Sequence, residues 1–194
     1  ALTYPNIKIK SKDFINAKFR IVFFGRILLY KGLQYLLQAQ LELEKQYDDI
    51  YLEIYGNGDM QPYTSTIEQL KNIHLENRWI DDSEIYTIFQ EPCINIAPYI
   101  EASQSGTIPV ALQCGTPSIV TNVGALGEQI IDRQTGLVVG AGSIVADLMK
   151  SIQILHLDRQ LCNQMSNNIL QYNVQSLNWS VIAEELHKGL KGLP

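Results

Sequence analysis

The sequence of 194 residues predicts a doubly wound parallel α/β sheet of about six strands with helices on both faces. Three observations carry this. Strand-like runs alternate with segments of helical period from Phe19 to Val139, the order that builds a parallel sheet covered on both sides. The first run, Arg20–Phe24, is a continuous β-branched and aromatic block of the kind a buried parallel strand carries. Glycine follows the first two runs, at Gly25 and at Gly56 and Gly58, where a strand turns towards a helix.

The elements follow in order. Gly32 to Lys45 reads as a helix with Leu33, Leu36, Leu37 and Leu41 on one face. Ile50–Tyr55 is a strand, residues 60–71 a helix, and 72–76 a strand containing His74. Asp82–Gln90 is a short helix opened by the acidic and Ser residues favoured at an N-terminus. Cys93–Ala97 is a strand, Pro98–Ser105 a loop, and the helix after it runs to Cys114. Gly115 and Pro117 stop that helix. Ser118–Thr121 is a strand, residues 124–131 a short helix, and Gly136–Val139 the last strand. The remainder is helical: Ser143–Leu155, Asp158–Tyr172 and Ser176–Leu190. These elements divide the chain into a linker or edge segment over 1–18, a main domain over 19–172, and a C-terminal helix and tail over 173–194.

Bulk properties remove several classes. Hydrophobic content is 46% and charged content 18%, the balance of a globular chain, and no apolar run reaches the ~18 residues of a membrane span. No basic and apolar leader marks the start, so no secretory signal is expected. The chain opens on Ala1 rather than Met, and a longer parent protein is expected. A net charge of −5 argues against a nucleic-acid binder, which needs clustered Lys and Arg. Cys93, Cys114 and Cys162 are odd in number and form no CxxC, so they read as reduced thiols, and the cytoplasm is the simplest compartment. His74, His156 and His187 show no metal spacing, and His74 reads as a packing residue.

The candidate chemistry falls just after the strands, where such sheets bind ligands. Arg26 and Lys31 flank the start of the first helix; two cations beside free N–H groups make an anion site, although each alone reads as a solvated surface charge. Gly56 and Gly58 permit close approach of backbone to a ligand, or simply a tight turn. In the loop after the fourth strand, Ser103 or Ser105 can cap the following helix, with Gln104 between them. The N–H groups of Gly106 and Thr107 can then face a phosphate. Glu101 can accept hydrogen bonds from sugar hydroxyls. Gly124, Gly127 and Glu128 mark a further loop that can line the same cleft. Arg78 and Trp79 can flank a nucleotide base, with a core position the plainer expectation for Trp79. No HExxH, G-x-S-x-G or Walker A pattern occurs.

In sequence order these segments resemble the C-terminal domain of retaining GT-B glycosyltransferases, the glycosyl transferases group 1. The matching pieces are Phe24-Gly25-Arg26 with Lys31-Gly32, Gly56-Asn57-Gly58, Pro98-Tyr99 with Glu101, Cys114-Gly115-Thr116-Pro117, Thr121 to Glu128, Thr135 to Val139, and Trp179. The resemblance covers about residues 19–185 and implies a Rossmann-like domain. It also implies a hexosyltransferase-type reaction in polysaccharide or glycoconjugate biosynthesis, from a nucleoside-diphosphate sugar, without a metal cofactor. Arg26 and Lys31 would bind and stabilise the leaving diphosphate, and Glu101 would touch the transferred sugar. Gly25, Gly56, Ser103, Gln104 and the Ser105–Thr107 backbone would line the donor site, with Arg78 near the base.

Two departures limit what is carried over. The family commonly has two Glu residues eight apart, the second binding ribose. Counting from Glu101 reaches Pro109, and counting back from Gly115 reaches Val110, with Ala102 in the first Glu position. The second carboxylate is absent either way, and the loop forms a Ser-Gln-Ser-Gly subtype. The family's N-terminal acceptor-binding domain is also missing from this sequence. The chain alone is therefore expected to bind donor weakly and not to turn over, with any contact to the inner membrane face made through the missing half. Competing readings are a non-catalytic scaffold or partner with a degenerate GT-B fold, a sugar-nucleotide 2-epimerase, and a flavodoxin-like binding domain without a marked flavin site.

Overall fold

The computed structural model describes residues 11–176, with side chains through Tyr172. Six strands form one parallel sheet: β1 (Phe19–Phe24), β2 (Ile50–Tyr55), β3 (Ile73–Glu76), β4 (Ile94–Ala97), β5 (Ser118–Thr121) and β6 (Gly136–Val139). Their order across the sheet is β3-β2-β1-β4-β5-β6. The chain builds outwards from β1 to one edge, then returns to lay β4 against the other side of β1, pairing Ile21 with Ile94. The loops after β1 and β4 therefore diverge, and the crevice between them is where a doubly wound sheet receives its ligand.

The helices are α1 (Leu33–Leu43), α2 (Thr64–Ile67), α3 (Asp82–Gln90), α4 (Thr107–Gln113), α5 (Ile144–Leu157) and α6 (Arg159–Ser176). Strand alternation decides which faces they cover. Phe19, Ile21 and Phe23 of β1 join Ile50, Leu52 and Ile54 of β2 beneath Leu33, Leu36 and Leu37 of α1 and Leu148, Ile152 and Leu155 of α5. On the opposite face Val22 packs with Ile85, Ile88 and Phe89 of α3 and Ala111 of α4. A third cluster, including Ala97, Tyr99, Ile108, Val120 and Leu126, underlies the loops after β4 and β5.

One ion pair sits inside this frame. Arg20 donates from Nε and Nη2 to the two oxygens of Glu53 at 2.6 and 2.5 Å, and more weakly to the Ile88 carbonyl of α3. The segment before β1 is tied down as well: Phe14 is buried, and the buried Lys12 amine donates to the Phe89 carbonyl and the Thr116 hydroxyl. The cysteines are free and buried. Burial pushes the Cys114 thiol up to about 11 and the Cys162 thiol up to about 12, which keeps both protonated and unreactive.

The predicted sheet is present, and three local expectations are corrected. The helix expected over 60–71 is only a 3-10 turn, Gln61–Tyr63, and the single turn of α2. Pro62 holds the first turn and β-branched Thr64, Thr66 and Ile67 crowd the second, so little favours extension. The helix expected over 124–131 is a 3-10 turn, Gly127–Gln129, because Gly124 takes φ +52° and breaks the helical path before it starts. His74, expected to pack, does so on one side only: on the edge strand its ring stands 5.5 Å from the Tyr55 ring, with its side chain 55% exposed and 3.2 Å from Glu76. Trp79 is not in the core; it is 69% exposed. Trp179, and all of the helix expected over Ser176–Leu190 except Ser176, lie outside the described residues. Among the described residues no helix is long and apolar enough to cross a membrane.

Candidate functional site

The site begins where β1 ends. Gly25 has φ +116°, and a Cβ there would stand 2.8 Å from the Lys31 amine and 3.1 Å from Thr107 Cγ2. Only glycine lets these two groups converge over the strand end. The chain then makes a 3-10 turn, Leu29–Lys31, closed by Gly32 at φ +70°. A Cβ on Gly32 would fall 1.9 Å from the Pro98 carbonyl. This close approach delivers Lys31 to the entry of α1, beside the loop that follows β4. Its ammonium lies 5.2 Å from the centre of the Tyr99 ring, a favourable cation–π distance. Lys31 is 9% exposed; Arg26 is exposed. Neither has a carboxylate partner among the described residues.

The loop after β4 is built from below. Tyr99 is buried and bonds through its hydroxyl to Ser105 and Thr107. Ser105 is buried too, and Gln129 grips its backbone from both sides: Ser105 N–H donates to the Gln129 side-chain oxygen, and Gln129 Nε2 donates to the Ser105 carbonyl, each at 2.9 Å. Ile100 N–H donates to the Tyr30 carbonyl at 2.8 Å, which joins this loop to the one after β1. Gly124 backs it as well, since a Cβ there would lie 1.7 Å from the Ala102 carbonyl. The 124–129 segment thus supports the loop.

The third wall follows β2 and β3. Gly56, at φ +151°, passes so close to Gly25 that a Cβ would lie 1.9 Å from its carbonyl. Asn77 bonds the backbone N–H and C=O of Gly58, each at 3.1 Å. Arg78 is held by Glu76 at 2.5 Å and Glu84 at 2.6 Å. Glu84 also accepts the Asp81 N–H in the capping box that opens α3. The Arg78 guanidinium and this N–H pull the Glu84 carboxyl down to about 2, and the two carboxylates raise Arg78 still further above its ordinary value.

Together these walls enclose a cleft of about 330 Å³. Gly25, Arg26, Lys31, Gly56, Arg78, Gly106 and Thr107 all border it. Glu101, Ser103 and Gln104 are exposed on the loop and do not border it, and Ser105 lies buried beneath it. Sequence reasoning missed two features: Ile80, Ile85 and Val110 give the cleft an apolar floor, and Gln129 clamps the Ser105 loop. Trp79, expected in the core with a place beside a ligand as the alternative, stands at the rim. The Asp81-x-x-Glu84 spacing that signals the capping box was a legible clue to how the Trp79 loop is anchored; nothing in sequence marks Gln129 as the partner of Ser105. Arg26 and Lys31 border the cleft without acid partners among the described residues, whereas the charge of Arg78 is already met by two carboxylates.

Fold and site together define a doubly wound α/β domain with a cleft bordered by Arg26 and Lys31 at its topological switch point. The chain belongs to the glycosyl transferases group 1 family, whose model matches residues 18–158. It is 26% identical over 211 aligned residues to D-inositol 3-phosphate glycosyltransferase of Paenarthrobacter aurescens, covering 97% of this chain and 49% of that protein. It is 27% identical over 172 residues to the putative glycosyltransferase YtcC of Bacillus subtilis, covering 82% and 42%. The chain thus spans about half the length of the curated relatives it matches. Among solved structures, the C-terminal domain of the group 1 protein LpcC from Francisella tularensis superposes with a TM-score of 0.72 at 21% identity, covering 84% of this chain and 87% of that one. HepE of Anabaena, solved in complex with UDP, gives 0.70 at 16% identity, covering 91% and 49%.

Proposed function

We propose that this chain is the C-terminal, donor-binding half of a retaining glycosyltransferase that moves a sugar from a nucleoside-diphosphate sugar to an acceptor. The observation that carries the reading is the pair Arg26 and Lys31: two cations without acid partners at the mouth of a glycine-opened cleft. As the glycosidic bond breaks, charge accumulates on the departing diphosphate. Preorganised cations then stabilise the transition state more than the ground state. Arg presents a fork that matches two phosphate oxygens, and Lys a point charge. In this reading they do the neutralising and no metal is required. The Ser105 and Thr107 N–H groups already donate to Gln129 and to Ser105 Oγ, so in this reading the Gly106 N–H is the backbone donor left for phosphate, and Glu101 reaches the sugar once an acceptor-binding domain closes over the loop. The relatives' activities and the UDP held by HepE support a nucleotide-sugar donor. The protein works in the cytoplasm, with any contact to the inner membrane face made by the acceptor-binding half.

Calorimetric titration of the full-length protein with UDP-, GDP- and ADP-glucose tests this reading. Saturable binding of at least one, abolished by Arg26→Ala, supports it; binding of none rejects it. One observation favours a second reading, a non-catalytic scaffold. Val110, at one of the two positions where the second Glu is expected, is among the residues lining the cleft, so the ribose-binding carboxylate is missing. Turnover by the full-length protein, with product of retained anomeric configuration, would reject the scaffold.

A further inference from the structure

Arg78 is met by two carboxylates, whereas Lys31 is 9% exposed and has no acid partner among the described residues. A cation withdrawn from water needs a compensating group. The group beside it is the ring of Tyr99, whose centre lies 5.2 Å from the ammonium. The face of an aromatic ring attracts a cation through its quadrupole but carries no charge. A carboxylate in that place would cancel the positive charge and compete with an anion entering the cleft; the ring does neither. Tyr99 is itself 2% exposed and does not border the cleft, so it acts on a ligand only through its neighbours. The ring is held from several directions. Tyr30, the residue before Lys31, meets it edge-on at 6.1 Å. The Thr121 hydroxyl donates to the Tyr99 carbonyl at 2.5 Å. The Tyr99 hydroxyl accepts from Ser105 at 3.1 Å and bonds Thr107 at 3.3 Å.

We propose that Tyr99 is the positioning residue for Lys31: its ring holds the ammonium at the border of the cleft and leaves the charge unneutralised for the diphosphate. The proposal rests on the donor-binding reading above and adds to it the residue that prepares the cation. A long, flexible lysine side chain loses rotamer freedom when it grips an anion. Seated in advance against a fixed ring, it has less freedom left to lose, and binding is tighter for that reason. The hydroxyl contributes by anchoring the ring, and the face of the ring makes the contact with the cation.

The test is calorimetry on the full-length protein with inorganic pyrophosphate as the probe. Tyr99→Leu should weaken binding by about tenfold, within the range of a desolvated cation–π contact. Tyr99→Phe, which keeps the ring, should stay within about threefold of wild type. Because Tyr99→Leu also empties part of a buried site, ring-fluorinated phenylalanines at position 99 provide a second series. Fluorine withdraws charge from the face and nearly preserves the shape, so affinity should fall stepwise with fluorination, by about threefold or more across the series. A flat series, or a folded Tyr99→Leu protein that binds within twofold of wild type, overturns the positioning role. The donor cleft stands in that case if Arg26→Ala still abolishes binding. Failure of the unaltered protein to bind pyrophosphate overturns both.

Discussion

The Lys31 amine occupies the space beside Gly25 that a side chain would need: a Cβ built on Gly25 would stand 2.8 Å from it. Gly25→Ala therefore meets both a positive φ of +116° and the amine. A forced backbone of this kind costs about 1–3 kcal/mol. Urea denaturation should show that loss, and calorimetry should show weakened pyrophosphate binding. A variant of unchanged stability and affinity would remove the steric argument.

Lys31 is 9% exposed and has no carboxylate partner among the described residues. Keeping a cation there costs stability in the empty chain. Lys31→Met should leave the melting temperature without ligand unchanged or higher, while removing the upward shift that a nucleoside diphosphate produces by binding the native state. A lowered melting temperature with the ligand shift intact would mean that Lys31 serves packing instead.

Glu84 gives a pH prediction. Its carboxyl is pulled from the ordinary value of 4.5 to about 2 by Arg78 and the Asp81 N–H. A depressed folded value contributes stability that is fully present above about pH 4.5 and is lost as pH falls towards 2. Glu84→Gln should therefore be less stable than wild type at pH 6, and the two should converge near pH 2. Parallel curves in urea midpoints across that window would contradict the pairing.

Gln129 holds the Ser105 backbone by two hydrogen bonds of 2.9 Å. Gln129→Leu leaves a part-buried N–H and C=O without these partners, a cost of about 1–3 kcal/mol. The Ser105 amide should exchange with solvent faster by more than tenfold, measured by hydrogen exchange. Unchanged protection would show that Tyr99 and Thr107 fix the loop without it.

The sheet was legible because its signals are local and strong. Ile50–Tyr55, Asp82–Gln90, Ser118–Thr121 and Gly136–Val139 form within the predicted bounds. Residues 60–71 form no long helix because Pro62 and three β-branched residues favour short turns. The cations were legible as strand-end residues flanking a helix. Trp79 was not, because a tryptophan beside a strand is ordinarily buried. What holds it outwards is the joining of Asn77 to Gly58 and of Arg78 to Glu76 and Glu84, partners that tertiary structure brings together. Gln129 and Ser105, 24 residues apart, escaped for the same reason.

The central claim is that Arg26 and Lys31 form the diphosphate end of a donor cleft. In the full-length enzyme, Arg26→Ala should lower turnover on the order of 10²–10³-fold, the scale of losing one preorganised transition-state donor, with the fold intact by circular dichroism. A loss below threefold would contradict the claim.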